Sequence, residues 1–192
     1  MNNDLTLLIP AKNEKESLPF VIKEIENLNL KCNFLFVVEK KDKETIKVIK
    51  RSKKKILFQR NKGYGDALIT GINKIKTKYF CIFNADGSFE QNDLPKMYAE
   101  IQNYDFVYTT RYEKPGGSDD DTILTLFGNK FFSLIGNLFF SLKISDILYT
   151  FLMGNTNSFK KLNIKSNDFR FCVELPLKMK LAKMKYKTIP SY

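Results

Sequence analysis

The first 111 residues alternate short apolar runs with segments of helical period, and no other feature constrains the fold as much. Residues 5–9 read as a buried strand ended by Pro10, and Leu18-Pro19 opens a helix that places Val21, Ile22, Ile25 and Leu28 on one face. Residues 33–38 and 55–59 read as the second and third strands. Tyr64, Ala67, Leu68, Gly71, Ile72 and Ile75 then form the cleanest amphipathic stripe of the chain. Residues 78–83 make a fourth strand. Leu94, Met97, Tyr98 and Ile101 face one side of another helix, and residues 106–110 make a fifth strand. Strand–helix units in succession predict an α/β fold with a Rossmann-like, mostly parallel central sheet flanked by helices. Ligands of such sheets sit beyond the carboxyl ends of the strands. Those ends carry Pro10-Ala11-Lys12-Asn13-Glu14, Glu39, Arg60-Asn61-Lys62-Gly63, Asn84-Ala85-Asp86 and Arg111, a polar set suited to a nucleotide.

The remainder has another texture. Residues 112–121 are a loop rich in Gly and Asp, followed by a helix whose Phe127, Phe131, Phe132, Phe139 and Phe140 suit either a buried core or a membrane surface. Residues 144–153 look extended, 173–184 look helical and 185–189 make a short last strand; the basic run 50–55 reads as a solvated surface. At 192 residues the chain fits one domain, 1–192.

Histidine is absent, which removes the usual general base, the usual partner of a Ser or Cys nucleophile and the commonest metal ligand. A metal must then be held by oxygen, favouring Mg²⁺ or Mn²⁺. Cys32, Cys81 and Cys172 lack any close pairing and read as small core residues in a reducing compartment. Thirty-two Lys and Arg against twenty-one Asp and Glu leave a formal charge of +11, which suits an anionic partner, although an AT-rich genome would produce the same surplus. An apolar strand follows the first four residues, with no basic start or cleavage site, and no apolar run reaches membrane-span length. The expectation is a cytoplasmic protein, soluble or peripheral at the inner face of the cell membrane. Walker, Rossmann G-x-G-x-x-G, G-x-S-x-G and H-E-x-x-H patterns are all missing.

What remains is a strand ending in Phe83-Asn84-Ala85-Asp86-Gly87-Ser88, where a carboxylate can hold a cation that in turn grips a diphosphate, or where Asp86-Gly87 is simply a turn. The order Ile9-Pro10-Ala11-Lys12-Asn13-Glu14, Val37-Val38-Glu39, Asn61-Lys62-Gly63-Tyr64-Gly65-Asp66-Ala67, Asn84-Ala85-Asp86 and Thr110-Arg111-Tyr112 resembles glycosyltransferase family two, with its GT-A fold. Gly128-Asn129-Lys130, Ile144-Ser145-Asp146 and Phe171-Cys172-Val173-Glu174-Leu175-Pro176 resemble the polyprenol-phosphate (dolichol-phosphate) sugar transferase branch. The resemblance implies a hexosyltransferase whose donor is a nucleotide-diphospho-sugar and whose acceptor is a lipid phosphate or a cell-envelope glycan, with a divalent cation as cofactor. Aromatic residues fall on core periods rather than interleaving with an exposed basic stripe, so no nucleic acid is expected as partner. It implies a nucleotide-sugar-binding half, 1–111, and an acceptor-side half, 112–192.

By the same resemblance Pro10, Ala11, Lys12, Asn13 and Glu14 line the nucleotide, with Val37 and Glu39 at the base or ribose and Lys62, Gly63 and Gly65 near the sugar diphosphate. Asn84, Ala85 and Asp86 border the donor; Asp86 ligates the metal, with Asn84 and Ser88 as further oxygen ligands; Arg111 pairs with a phosphate through its planar fork. Asp119 and Asp120 either complete the site as base or ligand, or belong with Asp121 to a solvated loop capping the next helix. The pattern departs from the family where Asn84 replaces an aspartate, where Glu39 exceeds the usual Asp by a carbon, where Thr150-Phe151-Leu152 replaces Gly-Phe-Arg, and where the chain stops while relatives continue into a basic loop, as a C-terminally truncated form would. Asn84 also suits a catalytically silent scaffold. The rival nucleotidyltransferase reading lacks its Gly-rich basic loop after the first strand.

Overall fold

The computed structural model describes residues 3–28, 30–111, 142 and 144–191. Among these residues seven strands form one sheet: β1 (Leu5–Ala11), β2 (Asn33–Val38), β3 (Lys55–Phe58), β4 (Tyr79–Ile82), β5 (Phe106–Thr110), β6 (Leu152–Asn155) and β7 (Tyr186–Pro190). The helices among the described residues are α1 (Leu18–Asn27), α2 (Lys43–Arg51), α3 (Tyr64–Lys74), α4 (Asp93–Glu100), α5 (Thr156–Lys161) and α6 (Phe171–Leu181). The spatial order is β3-β2-β1-β4-β6-β5-β7. Every pairing is parallel except those of β6, which runs antiparallel to both β4 and β5. The expected mostly parallel α/β sheet is therefore present, with one strand reversed.

Strand periodicity divides the core in two. Leu5, Leu7 and Ile9 of β1, with Phe36 and Val38 of β2, face α1, α2 and α4 through Val21, Ile25, Ile49 and Met97. Leu8, Val37, Phe80 and Ile82 point the other way, against Leu68 and Ile72 of α3, Phe159 of α5 and Phe171 of α6. Three layers result, because alternate residues of a strand leave opposite faces of the sheet.

Three expectations need correction, and two helices were not anticipated. Pro10 does not end β1, which runs to Ala11. Leu8 directs its carbonyl to Phe83 on the β4 side, so by alternation Pro10 turns its missing N–H to that side, beyond the last β4 pairing at Leu8. The extended stretch 144–153 is a strand only at Leu152–Asn155; before it the chain turns, Tyr149 N–H donating to the Asp146 carbonyl at 3.3 Å. The basic run 50–55 is not uniformly solvated, since it spans the end of α2 and the start of β3, and Lys54 lies 4.3 Å from the Phe34 ring centroid and pairs with Glu26. Finally, α2 and α5 form from segments without a broad apolar stripe: α2 buries only Thr45, Ile46 and Ile49, and α5 only Thr156, Ser158 and Phe159. The phenylalanine-rich helix and Gly128-Asn129-Lys130 lie outside the described residues. Among those described, no helix is long and apolar enough to cross a membrane.

Candidate active site

A cleft of about 740 Å³ opens at the carboxyl ends of β1, β2, β4 and β5. Pro10, Ala11, Lys12 and Glu14 come to it from β1, Val37 and Glu39 from β2, and Asn84, Ala85, Asp86 and Ser88 from the tip of β4. Arg111 enters from the end of β5 and Gly63 from the start of α3. Asn13, Lys62 and Gly65 do not line it, and Asp119 and Asp120 lie outside the described residues. The set lies along one edge of the sheet because parallel strands deliver their following loops to the same side.

The loop after β1 is tied down from α2. Asn13 stands at φ 61°, a left-handed conformation that asparagine tolerates, and its N–H donates to Asp42 Oδ2 at 2.7 Å. Asp42 Oδ1 accepts the Thr45 N–H at 3.2 Å as the helix cap, and the buried Thr45 hydroxyl accepts the Glu14 N–H at 3.0 Å. Burial alone would raise the Asp42 carboxyl; the bonds from Asn13 and Thr45 outweigh it and hold the group below its ordinary range. Glu39 also lies low, held by its hydrogen bond from Lys41 at 2.9 Å and by Lys12 at 3.4 Å.

The entry to α3 is built around Asp66. This buried carboxylate accepts the backbone N–H of Arg60 at 3.1 Å and of Asn61 at 3.0 Å, folding residues 60–63 over the start of the helix. At Gly63, φ is 118°, and an added Cβ would stand 2.1 Å from the Asn167 carbonyl oxygen. A Cβ on Gly65 would meet the Ser166 oxygen at the same distance. The close approach these glycines permit in the structure is thus to residues 166–168.

Residues 165–170 form the facing wall. The Glu174 carboxylate accepts the N–H groups of Lys165 and Ser166 and pairs with Lys178 at 2.7 Å. Burial would raise its pKa, but these bonds prevail and bring it to about 2. The wall carries Phe169, 71 % exposed, stacked on Tyr64 with ring centroids 5.2 Å apart. Cys172 lines the cleft as a thiol that burial pushes up to about 12, a poor nucleophile; Cys32 and Cys81 are likewise free and raised by burial.

Arg111 has a partner within the protein. Its Nε donates to Asp146 Oδ2 at 2.8 Å and Nη2 to Oδ1 at 3.3 Å, while the guanidinium lies 4.5 Å from the Tyr149 ring centroid. Asp146 is fully buried, so the fork that the sequence pattern directs at a phosphate is engaged along this edge by a buried carboxylate.

The donors at the tip of β4 are oxygens. Asp86 is exposed to the cleft, and its Oδ1 accepts the Ser88 N–H at 2.9 Å. Asn84 Nδ2 donates to Ser88 Oγ at 3.2 Å, and Asn84 Oδ1 lies 3.4 Å from the Tyr64 hydroxyl. Among the described residues no three His, Cys, Asp or Glu side chains gather in one group. One outward carboxylate without soft or imidazole ligands fits Mg²⁺ or Mn²⁺, which take most of their ligands from phosphate and water. Sequence reasoning missed Tyr64, Tyr149, Thr150 and Phe169 as cleft residues. Tyr64 carried a signal, as the first helical residue after a glycine at a strand end; Phe169 carried none.

A parallel-sheet α/β core with one reversed strand and its polar loops gathered at the carboxyl edge defines a protein of the GT-A-like class. Within that class, residues 6–162 match the family model described as Glycosyl transferase family 2, and the chain belongs to that family. Uncharacterized glycosyltransferases of Mycobacterium tuberculosis and Mycobacterium bovis are each 30% identical to it over 113 residues, covering 59% of this chain and 50% of theirs. The chain spans half the length of these curated relatives. Among solved structures, glucosyl-3-phosphoglycerate synthase from M. tuberculosis, in complex with Mn²⁺, UDP and phosphoglyceric acid, superposes with a TM-score of 0.75 over 97% of this chain and 68% of that one, at 11% identity. Mannosyl-3-phosphoglycerate synthase from Rubrobacter xylanophilus gives 0.72 over 98% and 66%, at 16% identity. At such identities the likeness is one of fold.

Proposed function

We propose that this chain transfers a sugar from a nucleotide-diphospho-sugar to a phosphate-bearing acceptor with the help of Mg²⁺ or Mn²⁺. The observation that carries the reading is Asp86, an exposed carboxylate at the tip of β4 facing the loops from β1 and β2 across one cleft. The base and ribose belong at Val37 and Glu39, the diphosphate between Lys12 and Asp86, and the sugar toward Thr150 and Phe169. A cation bound at Asp86 supplies charge neutralisation of the departing diphosphate. The chain's own residues bind the donor, orient its anomeric carbon and exclude water. The bond from that carbon to the diphosphate oxygen breaks while a bond to the acceptor oxygen forms on the opposite face.

An ionised phosphate needs no enzymic base, which agrees with a chain lacking histidine. A lipid phosphate of the polyprenol kind is the acceptor favoured by the sequence motifs at residues 144–146 and 171–176. The fold neighbours solved with phosphoglyceric acid favour a small phosphorylated acid. There a hydroxyl attacks, and a carboxylate must take its proton. Contact with a membrane surface at the inner face belongs to the first alternative only.

The test is a screen of UDP-, GDP- and dTDP-sugars with Mn²⁺ and each acceptor type, scored by release of nucleoside diphosphate. Release in one donor arm is expected, with Asp86→Ala reducing it by about 100-fold or more and leaving the fold intact. An unchanged Asp86→Ala rate removes the carboxylate from the reaction. A second reading, a silent nucleotide-binding scaffold, draws on Asn84 standing in place of a carboxylate; binding without release in every arm is its signature.

A further inference from the structure

Hydrogen bonds run below Asp86 from Thr150 to the tip of β4. The Tyr64 hydroxyl lies 3.4 Å from the Asn84 amide oxygen, which accepts from it, and 2.6 Å from Thr150 Oγ1, with which either hydroxyl can be the donor. On its other side Asn84 Nδ2 donates to Ser88 Oγ at 3.2 Å, and Ser88 donates its backbone N–H to Asp86 Oδ1 at 2.9 Å. The last step passes through the body of Ser88, whose Oγ is held by Asn84 while its backbone N–H holds Asp86. The ring of Tyr64 is fixed by its place at the start of α3 and by the stack under Phe169, at an interplanar angle of 14°.

We propose that Tyr64 and Asn84 are positioning residues for Asp86 in a relay: Thr150 and Tyr64 hold the Asn84 amide, the amide holds the Ser88 side chain, and the Ser88 N–H holds the carboxylate. The inference rests on the functional reading above and refines it: Asn84 and Ser88, which the sequence pattern groups with the metal ligands, shape the loop that presents the carboxylate. A neutral amide suits this role because it accepts on one side and donates on the other, which a carboxylate cannot do.

The test uses Tyr64→Phe, which deletes one hydroxyl and keeps the aromatic stack. Calorimetric titration of UDP and GDP is run with Mn²⁺ and with chelator, on wild type, Tyr64→Phe, Asn84→Ala and the double variant. Each single change is expected to weaken Mn²⁺-dependent binding about five- to tenfold, with the double variant no weaker than the worse single, because the groups act as one unit. The ratio of Mn²⁺-dependent to metal-free affinity falls by that factor, and the thermal midpoint of Tyr64→Phe stays within about 2 °C of wild type. Thr150→Val, which removes the partner 2.6 Å from the Tyr64 hydroxyl, produces the same loss should Tyr64→Phe fold poorly. A Tyr64→Phe protein that binds like wild type overturns the relay, as do losses that multiply in the double variant. An Asn84→Ala loss without a Tyr64→Phe loss makes Asn84 a direct ligand and also overturns it. Wild-type protein without any Mn²⁺-dependent nucleotide binding overturns the functional reading itself, an outcome distinct from failure of the relay alone.

Discussion

Arg111 shows how one residue's chemistry is decided by its neighbours. A guanidinium at a strand end reads as a phosphate clamp, yet here its fork meets Asp146, buried and 2.8 Å away, and its face lies over Tyr149. Arg111→Lys is expected to lower stability by about 2 kcal/mol, because an ammonium cannot reproduce the two-pronged bond or the stack and leaves a buried carboxylate half-paired. Denaturant unfolding of the two proteins checks this; equal midpoints would show that the pair contributes little. At this scale Asp86 and Glu39 were legible, since polar residues just beyond apolar strands fall at the carboxyl edge of a parallel sheet. The partnership of Arg111 with Asp146 was not, because side-chain pairing across so many intervening residues leaves no local pattern.

Among the elements, α2 connects a missed helix to the candidate site. Its apolar stripe is too narrow to stand out, but Asp42 followed by Thr45 is a cap signal, and the same two side chains hold the loop after β1. Asp42→Ala is expected to cost about 1 kcal/mol in stability and to weaken nucleotide binding several-fold, because Asn13 loses the bond that stabilises its left-handed backbone. Thermal melts and nucleotide titrations of that variant give the two numbers; reduced stability with unaltered binding would confine Asp42 to capping. In α6, Glu174 sets the pH response of the opposite wall. Its folded pKa of about 2 lies below the ordinary carboxylate value, so its contribution is fully present above that value and is lost as pH falls through the folded one. Glu174→Gln should therefore be less stable than wild type near neutrality, by about 1–2 kcal/mol, and the gap should close between roughly pH 4 and 2. A gap that persists at the acid end would place the stabilisation elsewhere.

For the whole molecule, the order of strand–helix units and the three-layer arrangement followed from periodicity, since alternation within β1 and β2 already assigns residues to two faces. The insertion of β6 between β4 and β5 did not, because that pairing is antiparallel and joins segments far apart in sequence. Only contact makes it visible: a Cβ at Gly154 would stand 2.7 Å from Phe80 and 2.8 Å from Phe106, so the reversed strand fits where a glycine makes room between two aromatic neighbours. That insertion sets the wall from which Tyr149 and Thr150 reach the cleft. As proposed, this cleft holds a nucleoside diphosphate through a cation on Asp86. Paramagnetic resonance of Mn²⁺ titrated into the protein with UDP or GDP tests that role. A bound Mn²⁺ signal that requires both the nucleotide and Asp86 and that vanishes in Asp86→Ala is expected; an undiminished signal in that variant, or none in wild type with either nucleotide, would overturn it.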